Sequence, residues 1–100
     1  MMKSDPSMHI KIQEDMDALS VRNHRSQFAS AVSDTTGNIS LDIREVGFLD
    51  SSGIGAILRL FKALRAENRG LELVVSPGQP ANLLEQVNLH RFIPIRSLDQ

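Results

Sequence analysis

The chain has 100 residues and a formal net charge of -1, with acidic and basic side chains nearly balanced; that length supports one domain with one modest core and no separate catalytic domain. The balance supplies none of the broad positive field that holds nucleic acid or anionic lipid. The lack of Cys, Tyr and Trp excludes disulfides, thiolate chemistry, Cys-based zinc sites and most stacking platforms for single-stranded nucleic acid.

Residues 1–7, Met1-Met2-Lys3-Ser4-Asp5-Pro6-Ser7, have no apolar signal region and are expected to be a flexible lead into a domain over 8–100. No segment reaches the roughly 18 continuous apolar residues of a membrane span, so no membrane insertion and a cytoplasmic location are expected. From Met8 to Gln13, apolar Met8, Ile10 and Ile12 alternate with His9, Lys11 and Gln13, the period of a strand with one buried face. A helix is expected over Ser20 to Ser33, with Val21, Phe28, Ala31 and Val32 on one side. The alternation returns at Ile39, Leu41 and Ile43, then at Leu71, Leu73 and Val75, with a helix over Ser52 to Asn68 between them. A third helix is expected from Gln79 to Val87. A fourth strand is expected at Phe92 to Ile95, where Pro94 argues for an edge or a strand end.

Strands joined by helices are normally parallel with right-handed crossovers, and such sheets are usually covered on both faces. The polar alternation argues against two-sided cover. The expected fold is therefore an α/β domain with a mostly parallel four-stranded sheet and helices mainly on one face.

The most informative stretch runs from Val46 through Gly47-Phe48-Leu49-Asp50-Ser51-Ser52-Gly53-Ile54-Gly55 to Ala56-Ile57-Leu58, a strand end turning directly into the middle helix. Asp50, Ser51 or Ser52 can cap that helix by accepting a hydrogen bond from an early backbone amide. Gly53 and Gly55 follow at once, each costing a helix about 1 kcal/mol relative to alanine. Glycine there serves either close approach of a partner or close packing inside the domain. A helical wheel sets Ile54, Ile57, Leu58, Leu60, Phe61 and Leu64 inward, and Gly55, Ala56, Arg59, Lys62, Ala63 and Ala66 outward. A strip of small residues rimmed by cations reads as a docking surface with a hydroxyl at its lip. A phosphate on that hydroxyl would add about 1.5 to 2 negative charges, and the helix dipole with its free amides would accommodate it.

The run Phe48 to Leu58 resembles the signature of STAS domains of the anti-sigma factor antagonist type. The resemblance continues through Gly70-Leu71-Glu72-Leu73-Val74-Val75-Ser76-Pro77, Leu83-Leu84 and Leu89 to Ile95, covering residues 39 to 95. It implies that Ser51 is a phosphoacceptor, with Ser52 as runner-up. The implied partners are a serine kinase that doubles as the anti-sigma factor and a PP2C-type phosphatase that restores the binding form. Partner contacts are expected at Asp50, Ser52, Gly53, Ile54, Gly55, Ala56 and Arg59. They are also expected at Asp17, the match to the aspartate of a Gly-Glu-Leu-Asp motif that stands here as Asp15-Met16-Asp17. Relatives usually carry an extra N-terminal strand, and often glycine where this chain has Asn88, a residue that also suits a left-handed helix end.

No cofactor is expected, since ATP and Mg²⁺ would belong to the partner's site. The implied function is a non-enzymatic antagonist that binds its partner until Ser51 is phosphorylated. An alternative is a STAS adaptor in another bacterial pathway, such as biofilm control, a stress assembly or a transporter complex. A small serine hydrolase is more remote: Leu49 stands where a nucleophile elbow needs its first glycine, and His9, His24 and His90 are scattered singly.

Overall fold

The computed structural model describes residues 8–98, so the expected flexible segment 1–7 lies outside them. The period-two runs form strands β1 (Met8–Lys11), β2 (Ile39–Asp42) and β3 (Leu71–Val75), and β4 spans Ile95–Ser97. The sheet order is β1-β2-β3-β4, and every pair is parallel. Register places Ile10, Leu41, Leu73 and Ile95 in one row, which becomes the sheet's contribution to the core. The helices are α1 (Val21–Asp34), α2 (Ser51–Arg65) and α3 (Gln79–Gln86).

Because spatial order equals chain order, each crossover steps the same way across the sheet. Right-handed connections then put every crossover helix on one face. A single cluster accordingly joins Ile10, Leu41 and Leu73 to Phe28 of α1, Ile57 and Leu60 of α2 and Leu84 of α3. The opposite face carries no helix. It holds the rows His9, Ser40, Glu72 and Lys11, Asp42, Val74, Arg96. Ser40 donates to Glu72 at 3.0 Å, Glu72 also pairs with Arg96 at 3.3 Å, and Lys11 pairs with Glu45.

Two expectations need correction. The fourth strand begins at Ile95 rather than Phe92, after a 3-10 turn over Leu89–Arg91. Leu89 and Ile93 are both buried while Arg91 between them is exposed; an extended strand would set all three on one face, so the pattern is helical rather than extended. Pro94 has no amide to donate and contributes only its carbonyl, which accepts from Leu73 at 2.9 Å. The second correction concerns Ala56, placed outward by the wheel but only 1 % exposed. Helix α2 is covered by α1 as well as by the sheet, so its buried arc is wider than a one-sided wheel allows.

The far ends of α1 and α2 are locked together by Arg69. Asn68 adopts a left-handed φ of 59°, and Arg69 N–H reaches back to Leu64 O at 2.9 Å, a Schellman-type helix end. The buried Arg69 guanidinium donates to Val32 O at 2.9 Å, Gly37 O at 2.8 Å and Thr35 Oγ1 at 2.5 Å. Val32 O is one of the last carbonyls of α1, which no later residue of that helix satisfies.

Replacing this guanidinium should strand those acceptors. Arg69→Met is expected to lower stability by about 3 kcal/mol, read as a lower urea midpoint with an unchanged slope. A midpoint equal to that of the parent chain would mean that Arg69 does not hold the two helix ends.

Candidate functional site

The site is built around Leu49, in the extended residues that feed α2. In extended chain, backbone groups of successive residues point to opposite sides. On one side Met16 N–H donates to Phe48 O at 2.9 Å and Asp50 N–H donates to Met16 O at 3.2 Å. On the other side a single amide side chain serves as the partner strand: Leu49 N–H donates to Gln79 Oε1 at 2.9 Å, and Gln79 Nε2 donates to Leu49 O at 2.8 Å. The Leu49 side chain is fully buried beneath.

Asp50 then starts α2. Its backbone is extended, and its Oδ1 accepts from Ser52 N at 2.8 Å and Gly53 N at 3.2 Å. Its Oδ2 accepts from Ala18 N at 3.3 Å. Of the three residues able to cap, Asp50 is the one that does so, and it ties the segment before α1 to the start of α2. This also corrects the expectation of free amides at the helix start: the carboxylate of Asp50 occupies those of Ser52 and Gly53.

Ser51, the first helical residue, is exposed. Its hydroxyl makes no hydrogen bond among the described residues. Ser52 and Ile54 are half-buried. The two glycines part company: a Cβ on Gly53 would lie 2.9 Å from Met16 Cβ and closer still to Leu49 Cδ1 and Met16 O, whereas a Cβ on Gly55 would meet nothing within 4 Å. Gly53 is therefore an internal packing glycine that lets Met16 and Leu49 come together under the helix, and Gly55 leaves open surface. Ala56, buried as described, faces α1 and not solvent. Arg59 and Lys62 are exposed.

Asp17 stands across from this helix start, in the segment bonded to Asp50. Its Oδ1 accepts from Leu19 N and Ser20 N at 3.1 Å each, and lies 3.0 Å from Ser20 Oγ, while Asp17 N–H donates to Ser20 Oγ at 3.2 Å. The hydrogen bond from the Ser20 side chain holds the Asp17 carboxyl below its usual range. The one proton of Ser20 Oγ is shared between Asp17 Oδ1 and Asp15 O, which lies 2.6 Å away and which His24 Nε2 also approaches at 3.1 Å. His24 is thus a buried brace, stacked near Phe28.

Sequence reasoning missed Gln79, Ser20, His24, Leu19 and Phe48. Leu19 is 95 % exposed and Phe48 44 % exposed, and they lie on the two segments that Asp50 joins. Two large apolar residues beside polar turn residues were the available signal. Nothing local marks Gln79, whose contact spans thirty residues.

A family model described as "STAS domain" matches residues 1–98. No curated protein matches. A candidate anti-sigma factor antagonist of Thermotoga maritima superposes with a TM-score of 0.80 at 18 % identity, covering 90 % of this chain and 78 % of its own. The anti-sigma factor antagonist SpoIIAA, solved in its unphosphorylated form, gives a TM-score of 0.62 at 20 % identity, covering 99 % of this chain and 86 % of its own. At these identities the likeness is one of fold. No helix among the described residues is long and apolar enough to cross a membrane.

The glycines should respond to alanine in opposite directions. Gly53→Ala is expected to destabilise by about 2 kcal/mol or more, because one obstructing atom is backbone, and Gly55→Ala to stabilise by about 0.5–1 kcal/mol; thermal unfolding of the two variants distinguishes them. Acid should weaken the fold through depressed carboxyls. Asp17 is lowered by Ser20, and Asp42 by its hydrogen bond to Arg44. Folded values below the unfolded one mean that the stabilisation is complete above the ordinary Asp pKa of about 3.9 and is lost as pH falls through the folded values. Asp17→Asn and Asp42→Asn should each flatten the fall of the urea midpoint below about pH 4.

Proposed function

The chain belongs to the STAS domain family, and from that premise we propose that it is a partner-switching regulator, an antagonist that binds an anti-sigma factor with serine kinase activity until Ser51 is phosphorylated. The observation that carries this reading is the division of labour at the start of α2. Asp50 does the structural work of the cap, which leaves the exposed Ser51 hydroxyl without a role in the fold.

In the proposed step, Ser51 Oγ attacks the γ-phosphorus of ATP held by the partner, ADP departs, and the hydroxyl proton passes to a base of that kinase. The resulting phosphate adds about 1.5 to 2 negative charges. Because Asp50 already fills the Ser52 and Gly53 amides, the phosphate would project outward beside a carboxylate rather than sink into the helix end. It would obstruct a partner seated over Ser51, Ile54 and Gly55 sterically and electrostatically while leaving the domain folded. Leu19 and Phe48 give that surface an apolar rim, Arg59 a cation and Asp17 a carboxylate across from the serine. A PP2C-type phosphatase would hydrolyse the ester and return the binding form.

The test pairs binding with mass. Incubation with the cognate kinase and ATP should add one phosphate, localised to Ser51 and absent from Ser51→Ala. In a titration, Ser51→Ala should bind at the strength of the unmodified chain, and Ser51→Glu at least tenfold more weakly. Equal affinity of the two variants, or a phosphate confined to another residue, would sink the reading.

A further inference from the structure

Helices α1 and α2 enclose an apolar cleft of about 380 Å³, within the size range of small-molecule sites. Helix α1 lines it with Arg25, Phe28, Ala29 and Val32. Helix α2 presents the same spacing, with Ala56, Arg59, Leu60 and Ala63. Each set lies at i, i+3, i+4 and i+7, one continuous face of about two turns and so about 10 Å of slot.

The depth of the slot decides what fits. Its floor is nearly closed to water, with Ala56 1 %, Leu60 2 % and Phe28 3 % exposed, whereas Ala29 and Ala63 at the rim are exposed. Two turns of a helix about 10–12 Å in diameter need more room than the 380 Å³ of this cleft and cannot enter it. A single alkyl chain can.

Charge selects the head of the occupant. Arg25 and Arg59 face the slot from opposite helices, and neither makes an ion pair among the described residues. Helical neighbours do not supply one: three and four residues away from Arg25 stand Val21, Arg22, Phe28 and Ala29, and from Arg59 stand Gly55, Ala56, Lys62 and Ala63. Two unpaired guanidiniums over an apolar slot, in a chain of net charge -1, match a carboxylate, which Arg binds through paired N–H donors.

We infer that the cleft binds a monomeric medium-chain carboxylic acid, its alkyl chain lying between α1 and α2 and its carboxylate held by Arg25 and Arg59. The site shares Arg59 with the surface proposed for the partner of the serine switch, but ligand binding here is read without any partner and does not depend on that switch. Calorimetric titration with hexanoate, octanoate and decanoate, each below its micellar concentration, should show one saturable site whose affinity rises about threefold to fourfold per methylene until the slot is full. The Arg25→Gln, Arg59→Gln double variant should lose at least tenfold in decanoate affinity while binding decanol as the parent chain does. Ala63→Leu, a change at an exposed position, should block both ligands, with circular dichroism confirming that each variant is folded. Non-saturable decanoate binding, or affinity indifferent to the two arginines, overturns the inference. So does binding confined to phosphatidylglycerol vesicles, or an acidic amphipathic peptide that binds at this cleft where decanoate does not.

Discussion

The structure depends on the two-sided pairing of the short extended stretch at Leu49. Its backbone is bonded to Met16 on one side and to the Gln79 amide on the other, so the residue that launches α2 cannot shift toward either neighbour. Asp50 converts that fixed position into a fixed helix start by capping Ser52 and Gly53 and by accepting from Ala18. The place of Ser51 on the surface follows from these bonds and not from any contact of its own.

This arrangement is a consequence of topology. In a parallel sheet, the loops that leave the carboxyl ends of the strands gather along one edge of the domain, where open α/β folds place their sites. The segment Asp15–Ser20 follows β1, Leu49 and Asp50 follow β2, and Gln79 follows β3. All three meet at the start of α2. Gly53 is needed because Met16 and Leu49 converge directly beneath it, so the same convergence that fixes the serine demands a residue without a side chain two positions later. At the opposite end, Arg69 performs a comparable closure between α1 and α2.

Much of this was legible from sequence where a local period or a local chemical rule applied. The alternation in β1, β2 and β3 gave strands and an uncovered face, and Asn88 and Asn68 each end a helix with a φ of 59°. The readings failed where the deciding contact was remote. Ala56 was set outward because the wheel counted one covering layer, and α1 supplied a second. The start of β4 was misplaced because Leu89 and Ile93 are buried with Arg91 exposed between them, a helical pattern that shows only once burial is known. The clasp of Gln79 on Leu49 joins a helix start to a loop thirty residues earlier, and no spacing rule anticipates it.

Asp50 also sharpens what a phosphate could do here. A helix start with free amides would hold an added phosphate as an ordered, partly buried anion, and such binding would oppose its removal. With Asp50 already in that role, a phosphate on Ser51 would gain the favourable helix dipole but few direct donors, and it would meet the repulsion of the neighbouring carboxylate. The modified side chain would then stay accessible and only weakly attached to its own domain. A group that contributes little to folding in either state suits reversible signalling, because its addition and removal are felt by whatever docks on the surface and hardly at all by the core.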